Sequence, residues 1–275
     1  MTKIMRAKKS LGQHFLNSKH VLEQIISAGK IKADENILEI GPGTGVLTEA
    51  LLRTGAKITA IEKDVRANDL LKEKFAKEIS SGQLKLIHGD ILTEKIDIPT
   101  PYALIANIPY YITGAILEKF LEHGPRPDRM VLLVQKEVAE RIVARPEQST
   151  GKRKESVLSI SVKAFGIPKI IANVPPGAFT PPPTVDSAIL SIEHISDKGF
   201  EGVLIKNPDG VSRFFEIVKA GFAHKRKFVR RNLEGTMSPE EIDRIWKSLN
   251  LNEKERAEDL TPAQWLDIAT KNLPK

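Results

Sequence analysis

An alternation restricts this chain more than any other feature. Short runs rich in β-branched residues, Asn36–Ile40, Lys57–Ile61, Leu84–His88, Tyr102–Ala106 and Met130–Val134, recur between stretches whose apolar residues fall at helical spacing. Val65–Ile79 is one such stretch, with Leu70, Leu71, Phe75 and Ile79 on a single stripe. Strands separated by helices need crossover connections, which predicts an α/β fold, a Rossmann-like parallel sheet with helices on both faces. Val157–Phe165 and Val185–His194 read as two further strands, the second preceded by Pro181-Pro182-Pro183, and suit an antiparallel edge. Beyond about residue 197 the pattern turns helical. Phe214–Leu233, Pro239–Leu249 and Pro262–Lys271 are expected helices, with Ser238 and Thr261 as N-caps ahead of first-turn prolines. A chain of 275 residues can hold one large domain and a small appendage. The division expected is a sheet domain over 1–196, with 1–15 as a basic arm and cover, and a small all-helical domain over 197–275 after a linker near 195–209.

Glu39-Ile40-Gly41-Pro42-Gly43-Thr44-Gly45 lies between the first strand and a helix that begins near Val46. Glycines there let the backbone turn tightly and lie against a ligand. Alone, the motif could serve a dinucleotide, S-adenosylmethionine or only a turn. Glu62 closes the second strand, where a carboxylate can accept both ribose hydroxyls. Asp90, followed by Ile91, closes the third, where it can accept a hydrogen bond from an adenine amino group, and Asn107 closes the fourth. Polar residues at the carboxyl ends of successive strands form what a crevice ligand requires. The glycine loop is shorter than the usual dinucleotide loop, and nothing downstream resembles a hydride-accepting site. S-adenosylmethionine therefore fits better than NAD.

Asn107-Ile108-Pro109-Tyr110 carries the chemistry. The lone pair of the adenine N6 is delocalised into the ring, so this amino group is a poor nucleophile. A site can help by accepting both N–H protons, one on the Asn107 side-chain oxygen and one on a backbone carbonyl, that of Ile108. Pro109 stiffens the turn. Tyr110 offers a flat face on which an extruded base can stack. Phe179, in Phe179-Thr180-Pro181-Pro182-Pro183-Thr184-Val185-Asp186-Ser187, is the candidate for the other face, although its spacing also suits a core phenylalanine.

Net charge is +7, and its distribution says more than its size. Residues 1–20 carry Lys3, Arg6, Lys8, Lys9 and Lys19 without an acid, and residues 219–231 carry Lys219, Lys225, Arg226, Lys227, Arg230 and Arg231 without one. Such clusters fit phosphate contacts, and equally a solvated helix face. Cysteine is absent, which excludes disulfides, thiolate metal sites and cysteine nucleophiles, and no metal is called for. The N-terminus lacks the apolar run of a signal peptide, no stretch is long enough to cross a membrane, and the expected compartment is the cytoplasm.

With these motifs in place the sequence resembles the ribosomal RNA adenine N6,N6-dimethyltransferases. The likeness runs nearly end to end: Leu11–Leu16, Glu39–Gly45, Asn107–Tyr110, Gln135–Arg141, Phe179–Ser187, Arg256–Leu260 and Trp265-Leu266. It implies a class I methyltransferase sheet and S-adenosylmethionine as cofactor, leaving as S-adenosylhomocysteine. His14 and Leu16 would cover the cofactor through main-chain contacts, Gly41 with Gly43 would lie along it, and Asn107 would touch it as well as the target. Glu62 would hold its ribose, and Asp90 and Ile91 its adenine. Asn107, Tyr110 and Phe179 would handle the target, and Lys225, Arg226, Lys227, Arg230 and Arg231 would contact RNA. The implied partner is small-subunit ribosomal RNA within an immature subunit, at two adjacent adenines of a hairpin loop near its 3′ end, with a second role in assembly. A monomer is expected, and no membrane. Related large-subunit methyltransferases of the macrolide-resistance type share the Asn-Ile-Pro-Tyr site, but usually follow the phenylalanine with lysines, where this chain has prolines. A mainly non-catalytic, RNA-binding assembly factor and a DNA adenine methyltransferase are the remaining alternatives. The region 147–156 departs from the family pattern in being longer and more basic.

Overall fold

β-Branched side chains lose rotamer freedom in a helix and fit a pleated surface. In the computed structural model, which describes residues 8, 12–144, 154–200 and 209–272, all five early runs are strands. A short β1 (Phe15–Leu16) and helix α1 (Lys19–Gly29) come first. Then follow β2 (Asn36–Ile40), α2 (Val46–Leu52), β3 (Lys57–Glu62), α3 (Val65–Lys74), α4 (Ala76–Ser80) and β4 (Leu84–His88). Next are β5 (Tyr102–Asn107), α5 (Thr113–Glu122), β6 (Arg129–Gln135), α6 (Lys136–Val143) and α7 (Val157–Phe165). The sheet region ends with β7 (Ile167–Val174), β8 (Phe179–Thr180) and β9 (Ser187–Glu193).

The main sheet runs β4-β3-β2-β5-β6-β9-β7. Its first five strands are parallel, and β9 is antiparallel to both β6 and β7. Because side chains alternate across a strand, Leu38, Leu104, Leu132 and Leu190 feed one core, and Ile37, Ile105, Leu133 and Ile189 feed the other. The first core continues without a break into the C-terminal helices α8 (Gly210–Gly221), α9 (Val229–Leu233), α10 (Pro239–Leu249) and α11 (Pro262–Asn272). Among the described residues no helix is long and apolar enough to cross a membrane.

Three expectations are corrected. Val157–Phe165 is a helix, although Leu158, Ile160, Val162 and Ala164 alternate with Ser159, Ser161 and Lys163 as in a strand. A reciprocal capping box between Ser156 and Ser159 starts the helix, and burial of Ile160, Val162, Ala164 and Phe165 outweighs β-branched propensity. The strand of that region is instead β7, at the sheet edge with Ile167 and Ile171 exposed. Val65–Ile79 breaks at Phe75 into α3 and α4. Phe214–Leu233 likewise breaks, and Lys225, Arg226 and Lys227 lie in the connection between α8 and α9. The capping expectations hold: Ser238 forms a capping box with Glu241, and Thr261 Oγ1 accepts from Gln264 N. Most of the basic arm, the stretch 145–153 and residues 201–208 of the expected linker lie outside the described residues.

Candidate active site

β2 and β5 are neighbours, yet the chain leaves β2 toward β3 on one side and β5 toward β6 on the other. Crossovers that diverge in this way leave a crevice at the carboxyl ends of the two strands. The cavity there spans about 1140 Å³ with its open mouth and the adjoining solvent included. It brings together His14, Leu16, Gly41, Gly43, Glu62, Asp90, Ile91, Asn107 and Tyr110.

The glycine loop forms one wall. Gly45 adopts φ 76°, and a Cβ there would sit 2.6 Å from the Phe75 ring, so only glycine fits where α2 begins. At Gly41, with φ 65°, a Cβ would meet nothing within 4 Å, so the main chain faces open space. Glu62 is 5% exposed. Its Oε2 accepts from Gly43 N at 2.9 Å and its Oε1 from Asp64 N at 2.7 Å, which aims the carboxylate and leaves each oxygen a second lone pair. Burial holds its pKa above the ordinary value, and backbone N–H donors at Asp64, Gly43 and Lys63 oppose that rise.

Asp90 accepts from Lys63 Nζ at 2.8 Å and from Leu92 N at 3.0 Å. The Lys63 ammonium holds its carboxyl below the usual range. Glu39 differs from both. It is 1% exposed, lines the same cavity, and neither carboxyl oxygen has a hydrogen-bond partner. The Thr48 hydroxyl faces it outside hydrogen-bond geometry, yet close enough to oppose part of the rise in its pKa. Burial, with the charge of Glu62 adding to it, pushes Glu39 up to about 8. Sequence motifs alone assign no ligand role to Glu39 or Lys63. Their signals were an acid inside an otherwise apolar strand buried on both faces, and a cation next to the ribose acid.

A strap closes the cavity from the N-terminal side. β1 pairs antiparallel with β8, Leu16 opposite Phe179, and Asn17 Nδ2 donates to Thr180 Oγ1 at 2.7 Å. Gln13 Nε2 reaches Asp64 Oδ2 at 3.1 Å, tying the strap to the end of β3. Asn107 Nδ2 donates to His14 O at 3.2 Å. This engages one of the two amide N–H donors with the main chain, fixes the orientation of the amide, and leaves Oδ1 available as an acceptor. Tyr110 stands in a 3₁₀ turn over Tyr110–Ile112, with its hydroxyl 2.6 Å from Ser187 Oγ, and the His14 ring stacks on it with centroids 5.9 Å apart. His14 Nδ1 donates to Pro181 O at 2.8 Å.

Phe179 lies elsewhere. It is 3% exposed and packed in the core with Leu16, Val174 and Ala178, under the strap and outside the cavity lining. The basic run is likewise distributed. Lys225, Arg226, Lys227 and Arg231 are exposed, whereas Arg230 is held by Asp243 and Glu253. Lys219 bridges Glu118 at 2.8 Å and Glu122 at 3.4 Å, joining α8 to α5.

This cavity, with a glycine loop, a ribose-height acid and an Asn-Ile-Pro-Tyr turn at the switch point, sits in a chain whose residues 4–272 match the family model described as ribosomal RNA adenine dimethylase. The chain belongs to that family. Similar proteins are named ribosomal RNA small subunit methyltransferase A. One, from Dehalococcoides mccartyi, is 39% identical, covering 95% of this chain and 87% of its own. Another, from Nostoc sp., is 36% identical, covering 97% and 98%. The structure of a dimethyladenosine transferase from Plasmodium falciparum superposes with a TM-score of 0.75 at 26% identity, over 93% of this chain and 96% of that one. The 23S rRNA methyltransferase ErmE shares the fold, with a TM-score of 0.70 at 23% identity, over 94% and 99%. The likeness to these folds and the largely parallel sheet bear out the Rossmann-like reading.

Proposed function

We propose that this protein transfers methyl groups from S-adenosylmethionine to the N6 amino groups of two adjacent adenines in a hairpin loop of small-subunit ribosomal RNA. The observation that carries the reading is the Asn107 amide, which is oriented by one N–H donated to His14 O and whose oxygen is available to accept a proton donor beside Tyr110. The family and the names of relatives at 36% and 39% identity support ribosomal RNA as the substrate class and the small subunit as its source. Action on partly assembled subunits, as a cytoplasmic monomer, and a role in assembly belong to the same reading.

The residues fit the cofactor. Main chain at Gly41 faces open space, Glu62 keeps free lone pairs, and Glu39 is a buried carboxyl without a partner. In this assignment Glu62 accepts the ribose hydroxyls, Asp90 and Ile91 hold the adenine, Gly41 and Gly43 line the methionine portion, and Glu39 faces its ammonium. His14 and Leu16 form the cover. The cofactor supplies an electrophilic methyl on a sulfonium. The chain's own part is orientation. Asn107 Oδ1 and the Ile108 carbonyl accept the two N6 protons, which turns the nitrogen lone pair out of conjugation. The Tyr110 ring supports the base plane, and Phe179 joins the slot only if its loop turns out from under the strap. After transfer the nitrogen is cationic and sheds a proton to solvent. In this reading the sheet region over 1–196 holds cofactor and target, and the helical region over 197–275, which shares a core with it, carries Lys225, Arg226, Lys227 and Arg231 as phosphate contacts and Arg230 as their support.

The test is transfer of label from S-adenosylmethionine to undermethylated small subunits. Wild type should yield dimethyladenosine, and Asn107→Ala should lose at least about a hundredfold in rate while still binding subunits. Label in large-subunit RNA would move the assignment to the macrolide-resistance type. Wild-type turnover in Asn107→Ala would overturn the mechanism.

A further inference from the structure

Tyr111 has no part in the site as assigned so far. The 3₁₀ turn over Tyr110–Ile112 separates consecutive side chains by about a third of a turn, so neighbouring tyrosines face different ways. Tyr110 points inward to Ser187. Tyr111 is 65% exposed, the most exposed large apolar side chain among the described residues, and yet it lines the mouth of the cavity. Its ring lies on the main chain of the strap: a Cβ on Gly12, whose φ is +58°, would sit 3.4 Å from Tyr111 Cδ1 and Cε1. One part of the ring therefore rests on the backbone, and most of the rest is open to water.

Resting on the activity proposed above, we infer that Tyr111 is a second stacking surface, holding the base next to the target adenine at the rim of the cavity. When the target adenine leaves its stack to enter a pocket, its neighbour in the strand loses a stacking partner. A flat ring at the mouth can replace that partner without reading sequence, since every base has a π-face. The tyrosine pair then divides the work, with Tyr110 inside for the reacting base and Tyr111 outside for the adjacent one. Where two adjacent adenines are both substrates, the outer ring holds one while the inner site modifies the other.

The experiment compares wild type with Tyr111→Ala, Tyr111→Phe and Tyr111→Trp on undermethylated small subunits, and measures S-adenosylhomocysteine binding separately. Tyr111→Ala should raise KM for subunits on the order of tenfold, the effect of losing one base–aromatic stack. It should also skew methylation toward one of the two adjacent adenines, as mapped by primer extension. The cofactor Kd should stay within about twofold, since less than one such contact is lost there. Tyr111→Phe and Tyr111→Trp should restore KM. If Tyr111→Ala instead weakens cofactor binding and leaves subunit KM unchanged, the ring covers the cofactor and the inference is wrong. It is equally wrong if all three variants match wild type, or if Trp fails as Ala does while thermal melting shows both folded. A wild-type enzyme that methylates no subunit would reject the underlying activity rather than the role of Tyr111.

Discussion

Glu39 shows how a single buried group ties stability to ligand binding. With its carboxyl raised to about 8 by burial, it holds a proton in the folded chain that the unfolded chain releases above its ordinary value of 4.5. The folded state thus binds more protons between these limits, and stability must fall as pH rises through that window. Glu39→Gln removes the titrating group, so its melting temperature should vary less over the window than that of wild type. Binding adds a second readout. An ammonium placed against Glu39 favours the ionised carboxylate, so at neutral pH S-adenosylmethionine should displace about one proton on binding. Titration calorimetry in buffers of different ionisation enthalpy measures this directly. The wild-type enthalpy should depend on buffer, and the Glu39→Gln enthalpy should depend on it less. A wild-type enthalpy independent of buffer would separate Glu39 from the cofactor.

Elements record where local pattern and tertiary packing agree. Asn36–Ile40 and Leu84–His88 are legible in the sequence to the residue: the first is an apolar run buried on both faces, and the second is a short edge strand bounded by turn residues. Residues 157–165 were not, because alternation of apolar and serine positions imitates a half-buried strand, and what decides is a cap outside the run. Ser156→Ala removes the acceptor for Ser159 N and should cost about 1 kcal/mol. That corresponds to a fall in melting temperature of roughly 2 °C for a chain of this size, measurable by calorimetry. Methyl transfer by the folded variant should be unchanged, and no loss of stability would show that packing alone holds α7. The site follows the same logic. Strand-end acids and the Asn-Ile-Pro-Tyr turn announce themselves by position. The strap does not, since the pairing of Phe15–Leu16 with Phe179–Thr180 joins residues far apart in sequence and too few to show a period. Burial of Phe179 beneath it follows from that pairing and could not be read from the proline-rich loop.

At the scale of the whole molecule, the net charge of +7 matters only where cations are free to meet phosphate. A run of basic residues is uniform in sequence, but the fold separates its members. Lys219 and Arg230 are engaged with acids, and Lys225, Arg226 and Lys227 project from the connection between α8 and α9. Counterion release predicts that each lost phosphate contact lowers the slope of log affinity against log salt by about 0.7 to 0.9. Replacing Lys225, Arg226 and Lys227 together by glutamine should therefore flatten the salt dependence of subunit binding by about 2 to 3, with the melting temperature unchanged. Arg230→Gln should do the reverse. It leaves Asp243 and Glu253 without their shared guanidinium, so it should lower the melting temperature while changing the slope by less than one contact's worth. Filter binding of labelled subunits across a salt series, with a melt of each variant, separates the two. Equal slopes for the triple variant and wild type would mean that this connection faces solvent in the complex. The RNA would then approach from another side of the cavity mouth.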